Sequence, residues 1–434
     1  MTTYNKVRLI GFAIPTTPAS MVAIGDVNGP GSVAGTYPAF ADPVQDNAAR
    51  LDVMESAVEA AFSKIGSATT NEGVLNIFVA PEFYWHSDIG PYVVKPGDED
   101  PAEQILTALQ ERFPTAKYPN TVFVFGTVIS AEVENLDVIF EDSTVQVRNQ
   151  VVRALGEGWT NSFGPIQGVL FDMLVNFIKM GHSYPKVQVR NRALIVGSEL
   201  FNGVTGDLSA GAITTEKYFA SNEDFLLWDV TGKAVLTEQT VAYPPLDLSG
   251  GDFKKDPGDP KAIFNVEGGP TVGVEICLDH SDHRLRHSSQ RSPWPTATDG
   301  IGLHLVPSCG MQLHPESVAA KAGGLAFNCD GQYALEKADA DVVGKGSVGE
   351  VDCIYVNYKD AGKGEYGSHT QLTRVVTGPV GANSASASSA SATFQIPEVD
   401  VTVVPVSRTA EVDAVFAGGP GSVHIYGLDA PLDL

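Results

Sequence analysis

The stretch TVGVEICLDHSDHR, residues 271–284, holds residue types that could do chemistry. A run of β-formers ends on Cys277, and a turn rich in acids and histidines follows at once. A thiol on a strand end, beside backbone N–H groups that stabilise a thiolate, is how a reactive cysteine is presented. A nucleophilic Cys277 needs a base, and a partner for the negative charge that develops on the group it attacks. Glu82, in FVAPEFYWH, directly follows an apolar run and is ringed by Phe83, Tyr84 and Trp85, surroundings that raise a carboxylate's proton affinity. Taken alone, Glu82 reads more plainly as a solvated loop acid, and Lys217, in ITTEKYF, as a solvated lysine. The same stretch supports a second chemistry. Cys277, His280, His283 and His287 form a Cys-x2-His-x2-His-x3-His run, and His283 and His287 can share a helix face and bind zinc. As a third reading, the histidines are a polar turn beside Arg284, Arg286 and Arg291.

The elements that must position these residues alternate in type. Residues 6–14 read as a first strand, and a Gly/Pro-rich loop over residues 15–43 has the length of a lid or an oligomer contact. Leu51, Met54, Val58, Ala61, Phe62 and Ile65 recur at helical spacing, with Asp46 or Asn47 to cap the start and Gly66 to end it. Residues 74–80 (VLNIFVA) form the continuous apolar run of a strand covered on both faces. Asp100, Pro101 and Glu103 supply the cap, first-turn proline and N3 acid of a second helix, and residues 121–130 are the next strand. This alternation indicates an α/β layered sheet. Residues 132–184 read as an insertion. Within it, Leu170, Phe171, Leu174, Phe177 and Ile178 give residues 168–180 an apolar helical face for packing on the core or a subunit, or for covering substrate. Strand character returns over residues 187–201 and 301–310, and in GLAFNCDG, DCIYVNY and TQLTRVV, with residues 317–322 read as helical. Residues 230–233 suit a hairpin turn and 252–261 a polar loop. Residues 382–392 are a low-complexity Ser/Ala segment expected to be flexible. The C-terminal tail, residues 394–434, holds one more alternating strand and a final segment suited to docking on the body or on another subunit.

The chain of 434 residues is 43% hydrophobic and 18% charged, a globular balance with ample length for a buried core. It reads as a single domain over residues 1–434. Acids outnumber bases 52 to 28, a net charge of −24 that repels nucleic acid and anionic membrane and sets both aside as partners. No stretch reaches the roughly 18 uninterrupted apolar residues of a membrane span, and the first residues lack the apolar core of a signal peptide. The cysteines at 277, 309, 329 and 353 then read as reduced thiols of a cytoplasmic protein.

Taken in order, Pro-Glu at a strand end (FVAPEF), Lys after a Gly-rich turn (EKYF) and Gly-x-x-Ile-Cys-x-Asp (GVEICLD) resemble the nitrilase, or carbon–nitrogen hydrolase, superfamily. VPS at residues 306–308, Asn328 at a strand end and the late GSHTQL resemble the family's later elements. The resemblance covers most of the chain apart from the early loop, the insertion and the Ser/Ala-rich region, and the Cys motif is its most specific piece. It implies an α/β fold of the four-layer αββα sandwich type with insertions, assembled as a homodimer or larger homo-oligomer. It implies Glu82 as general base, Cys277 as nucleophile, and Lys217 with the backbone N–H of Leu278 as the charge-stabilising pair. It implies no metal or organic cofactor. The substrate is then a small-molecule amide, with nitrile or N-carbamoyl hydrolysis as the alternative, and Tyr84, Trp85, Glu275 and His280 are pocket candidates. The family often carries a second Glu in a Lys-x-x-Leu-x-Pro-x-x-Glu pattern. Here Glu223 comes two positions early without the Leu and Pro, which leaves it a candidate only. Glu275 shares a strand face with Cys277 by alternation, and either recognises substrate or is buried against an arginine. A zinc protein using Cys277, His280, His283 and His287, and a catalytically silent binding subunit, are the readings from other classes.

Overall fold

The structure is a computed structural model that describes residues 3–16, 20–23, 33–69, 71–132, 186–197, 201–202, 211–217, 227–228, 234–235, 238–241, 262–281, 283–286, 301–331, 340–360, 364–378 and 391–434. These residues form a mixed α/β fold of two large sheets and few helices. The first sheet runs through Glu238–Val241, Lys186–Val196, Thr121–Glu132, Val74–Ala80, Lys6–Ala13, Ser422–Tyr426 and Val401–Pro405. Lys6–Ala13, Val74–Ala80 and Thr121–Glu132 lie parallel, and helices Pro43–Ile65 and Pro101–Arg112 fall between them in the chain. The second sheet runs through Ala340–Val348, Val351–Asp360, Gly364–Thr377, Ala320–Asp330, Ile301–Ser308, Thr271–Val274, Ile263–Val266 and Phe201–Asn202. Its three middle strands, Thr271–Val274, Ile301–Ser308 and Ala320–Asp330, are parallel as well.

Strand alternation sorts the side chains into layers. Ile10, Phe12, Phe78, Phe123, Phe125, Leu194 and Val196 pack with Met54, Val58, Ala61, Ile105 and Leu109 of the two long helices. Their neighbours Val7, Leu9, Ile77, Val79, Val122, Val124 and Ile195 pack with Val272, Val274, Leu303, Leu305, Leu325 and Phe327 of the second sheet. The order is therefore helices, sheet, sheet. On the far face of the second sheet, Val306, Ala326 and Val351 are covered by Leu313 and Val318 of the segment that follows Ile301–Ser308. Among the described residues no long helix lies on that face, so the fourth, helical layer of the expected sandwich is not seen there. No helix among them is long and apolar enough to cross a membrane.

Several expectations are corrected. The first helix is capped by Asp42, whose side chain accepts from the Val44 N–H with Pro43 in the first turn, rather than by Asp46 or Asn47. Asp46 lies a turn inside and forms a buried ion pair with Arg50 at 2.7 Å. Residues 317–322 are not helical: Ala320 opens the strand Ala320–Asp330, where pairing with Ile301–Ser308 overrides local propensity and Gly323 and Gly324 disfavour a helix. The C-terminal segment is built into the first sheet, with Ser422–Tyr426 antiparallel to Lys6–Ala13 and Leu432–Asp433 pairing at its start. The insertion beyond Glu132, its 168–180 helix, the 230–233 turn, the 252–261 loop and most of the 382–392 segment lie outside the described residues, as do Glu223, His287 and Arg291.

One glycine is required to seat the site. Gly126 has φ +73°, and a Cβ there would stand 2.4 Å from the Pro81 carbonyl oxygen and 2.9 Å from Tyr84 Cβ. The strand therefore carries a bulge between Val124 and Thr127, into which the turn bearing Glu82 packs. Gly126→Ala is expected to lower stability by about 2–4 kcal/mol, through left-handed strain and overpacking against rigid backbone. A urea titration reads this as a lower midpoint at constant slope.

Candidate active site

Glu82 sits at the end of Val74–Ala80, where the first sheet meets the second. Its backbone N–H donates to the Ser308 carbonyl at 3.3 Å, across the two sheets. Thr127 pins the rest of the turn: its hydroxyl accepts from Phe83 N–H at 2.9 Å and its carbonyl from Trp85 N–H at 3.0 Å. Phe83 takes φ +60°, an unusual value for a non-glycine residue that the turn and its bonds hold in place. The Glu82 carboxylate is completely buried, and three donors meet it. Lys217 Nζ and Asn191 Nδ2 both donate to Oε1 at 2.9 Å, and Cys309 N–H donates to Oε2 at 3.1 Å. A buried charge without such partners would be driven neutral.

Lys217 arrives from the strand Ala212–Glu216, which lies antiparallel to Lys186–Val196. Its N–H donates to the Asn191 carbonyl at 2.7 Å, so one residue holds both the backbone of Lys217 and, through its side chain, the carboxylate that Lys217 meets. Both charges of the Glu82–Lys217 pair are fully buried. The ammonium also stands 5.7 Å over the Phe83 ring, a favourable place for a desolvated cation. Asn191 Oδ1 is buried without a hydrogen-bond partner among the described residues.

Cys277 follows Thr271–Val274 by three residues. The parallel ladder continues past the strand, with Glu275 N–H on the Leu305 carbonyl at 3.0 Å and Cys277 N–H on the Pro307 carbonyl at 3.1 Å. Cys277 then turns left-handed at φ +46°, and its carbonyl accepts from His280 N–H at 2.8 Å. Its thiol packs among inter-sheet side chains and lies 4.0 Å from the Cys309 carbonyl oxygen. Residues 307–309 thus hold both halves of the site. Pro307 and Ser308 accept from the backbones of Cys277 and Glu82, while Cys309 donates to the Glu82 carboxylate and turns its carbonyl to the thiol. The structure joins Glu82 and Lys217 directly and brings Cys277 to them through Cys309.

The turn after Cys277 begins with the short helix Leu278–Ser281. The Leu278 N–H is its first and has no intrahelical acceptor. Asp279 is paired with Arg284, and Arg284 Nη1 donates to the Glu216 carbonyl at 2.7 Å, next to Lys217. Four pocket candidates are placed elsewhere. Tyr84 and Trp85 are buried in the helix-side core, with Tyr84 Oη on the Arg50 carbonyl at 2.9 Å and Trp85 Nε1 on the Phe125 carbonyl at 2.8 Å. Glu275 is fully buried and meets His280 Nδ1 at 2.8 Å and His304 Nε2 at 2.9 Å, not an arginine. Strand alternation does not carry from Glu275 to Cys277, because the left-handed backbone at Cys277 ends it.

Burial raises the Glu275 carboxyl, but the two imidazoles outweigh it and hold it down at about 2. Burial lowers His280 from its ordinary 6.5 to about 4, with Glu275 opposing only in part. Between those two values the unfolded chain takes up a proton that folded His280 refuses, so stability falls as pH falls from 6.5 toward 4. Unfolding in urea is expected to show about 2–3 kcal/mol less stability at pH 4.5 than at pH 7, and His280→Gln to remove that part of the slope.

Sequence reasoning missed Asn191 and Cys309. VRNRALIV is an ordinary strand by pattern, whereas Cys309 directly follows the VPS segment that the resemblance had singled out. Among the described residues Cys277, His280 and His283 are not gathered into a metal-binding group; the group that gathers is Glu275, His280 and His304. His280 Nε2 accepts from His314 N–H and His304 Nδ1 from Ala319 N–H, each at 3.1 Å. The nitrogens facing Glu275 therefore carry the protons. A neutral imidazole bound to a metal needs the opposite arrangement, so this group does not suit one. No family model, no curated protein and no solved structure matches the chain.

Proposed function

We propose that the chain is a cysteine-dependent hydrolase of non-peptide carbon–nitrogen bonds, of the nitrilase type and acting first on amides. The observation that carries this reading is a buried carboxylate and ammonium in contact, joined through the Cys309 peptide to a strand-end cysteine in strained backbone. Such strain gathers at reactive sites, and no other described feature of the site explains a fully buried Glu–Lys pair there.

In this mechanism Glu82 takes the proton from the Cys277 thiol as sulfur attacks the amide carbon. The carbonyl oxygen becomes an oxyanion, held by Lys217 Nζ and the Leu278 N–H. Glu82 returns the proton to the nitrogen, the C–N bond breaks, and ammonia or an amine leaves a thioester on Cys277. Water then attacks the thioester, Glu82 takes its proton, and the acid leaves as the thiol is restored. A nitrile enters through a thioimidate instead. Cys309 N–H and Asn191 hold the Glu82 carboxylate on both oxygens, which aims it without a metal or organic cofactor.

The helices–sheet–sheet order of the described residues supports the four-layer sandwich as the complete architecture; a homodimer and a cytoplasmic location belong to the same proposal through the resemblance alone. The decisive experiment screens amides, nitriles and N-carbamoyl compounds for ammonia release, comparing wild type with Cys277→Ala. Release that survives in Cys277→Ala refutes the thiol mechanism, and a silent wild type across the panel favours a binding subunit.

A further inference from the structure

We infer that Glu275, His280 and His304 form a buried positioning unit that sets the Cys309 peptide between Glu82 and Cys277; this rests on the proposed role of those three residues. Glu275 Oε1 accepts from the Leu285 N–H, and Oε2 accepts from both imidazoles. The far nitrogen of each ring accepts from one segment, residues 309–319: His280 Nε2 from His314 N–H and His304 Nδ1 from Ala319 N–H. One carboxylate thereby fixes both tautomers, and both rings read the same segment at two points, five residues apart by number. All three side chains are completely buried, so water cannot replace a lost partner.

That segment begins at Cys309. Its N–H is a donor to Glu82, and its carbonyl stands by the Cys277 thiol. The turn after Cys277 grips the same segment at its tip: Arg286 Nη1 donates to the Pro315 and Glu316 carbonyls at 2.9 and 2.8 Å, and Ser317 Oγ meets His283 Nδ1 at 3.0 Å. The tip contacts join the two pieces, while the Glu275 unit fixes how far they stand apart, because it spans from the nucleophile's own approach strand to two points of the segment. The ionisable groups facing His280 are Glu275, His304 and His314. Glu275, two positions before the nucleophile, is thus a positioning residue acting through histidines.

Two variants separate this role from general support of the fold. Glu275→Gln offers one acceptor and one donor where three donors converge, so a donor must face a donor. His280→Asn keeps a donor toward Glu275 in the place of Nδ1–H but removes the acceptor for His314 N–H, cutting only the link to the segment. The measurement is the alkylation rate of Cys277 by iodoacetamide from pH 5 to 10, read by peptide mapping so that Cys309 is scored separately. In folded His280→Asn the Cys277 rate is expected to fall roughly tenfold or more with a displaced pH profile, as misplacement of a reacting group by about 1 Å would cause. An unchanged rate and profile in that variant overturns the proposal. In wild type, nitrogen NMR of labelled histidines should find His280 protonated on Nδ1 and His304 on Nε2, the tautomers that leave the far nitrogens free to accept from His314 N–H and Ala319 N–H; the other tautomer on either ring overturns it even where neither variant folds. Alkylation needs no substrate turnover. A chain silent toward amides can therefore still show the effect, and an active amidase indifferent to His280→Asn would retain its mechanism and lose this unit.

Discussion

Lys217→Met is expected to cost about 3–5 kcal/mol of stability as well as the activity, because it strands a fully buried carboxylate. Glu82 would keep the donors Asn191 Nδ2 and Cys309 N–H. Neither carries charge, so the folded state must hold an anion in a dry site or protonate it. The partner variant makes the test sharper. In Lys217→Met with Glu82→Gln both charges are gone, and Asn191 can turn its amide so that Oδ1, which lacks a partner, accepts from Gln at position 82. Most of the lost stability should return in the double variant, as replacing a buried ion pair by neutral groups is near neutral, while turnover stays absent. The double-variant cycle in urea measures the coupling. Equal stability of Lys217→Met and wild type would mean that the pair is not buried as described, and the site as drawn would fail with it.

The parts of this molecule legible in the sequence are those that periodicity controls. Continuous apolar runs such as VLNIFVA mark strands covered on both faces, and both faces of Val74–Ala80 are indeed packed, one by helices and one by the second sheet. Glu82 and Cys277 were visible because each ends such a run, the place where a parallel α/β sheet presents its functional groups. Lys217 was visible only by its order relative to them. Asn191 was hidden, since an asparagine inside a strand has no local signature and its role depends on a carboxylate more than a hundred positions away. The placement of Glu275 was misread for a different reason. Alternation relates residues 275 and 277 only while the strand lasts, and the left-handed turn at Cys277 ends it. Tyr84 and Trp85 were misassigned because aromatics beside a catalytic candidate look alike whether they face a pocket or a helix layer; burial decides, and here it places both in the core. The same limit applies to the cap of the first helix, where a proline one residue after Asp42 outweighed the acid further along.

Cys277→Gly is expected to be as stable as Cys277→Ala or more so, reversing the usual order of these residues. In ordinary backbone alanine exceeds glycine by roughly 0.5–1 kcal/mol, since glycine loses more freedom on folding. At φ +46° an L-residue instead pays about 1–2 kcal/mol, which glycine does not. Both variants lose the same thiol and its contacts in the inter-sheet core; alanine also keeps one buried methyl, worth about 0.8 kcal/mol against glycine, so a glycine variant of equal stability already reports the backbone strain. Two hydrogen bonds hold that backbone in place: Cys277 N–H to Pro307 at 3.1 Å and His280 N–H to the Cys277 carbonyl at 2.8 Å. Turnover should fall in both by at least about 10⁴-fold, the scale on which removal of a nucleophile acts. Denaturant midpoints of the pair, with ammonia release measured alongside, carry the test. Alanine more stable than glycine by the ordinary margin would show that Cys277 is relaxed. The strain would then not belong to the chemistry, whereas a stabler, inactive glycine variant would show that the chain gives up stability at this one residue to present its sulfur.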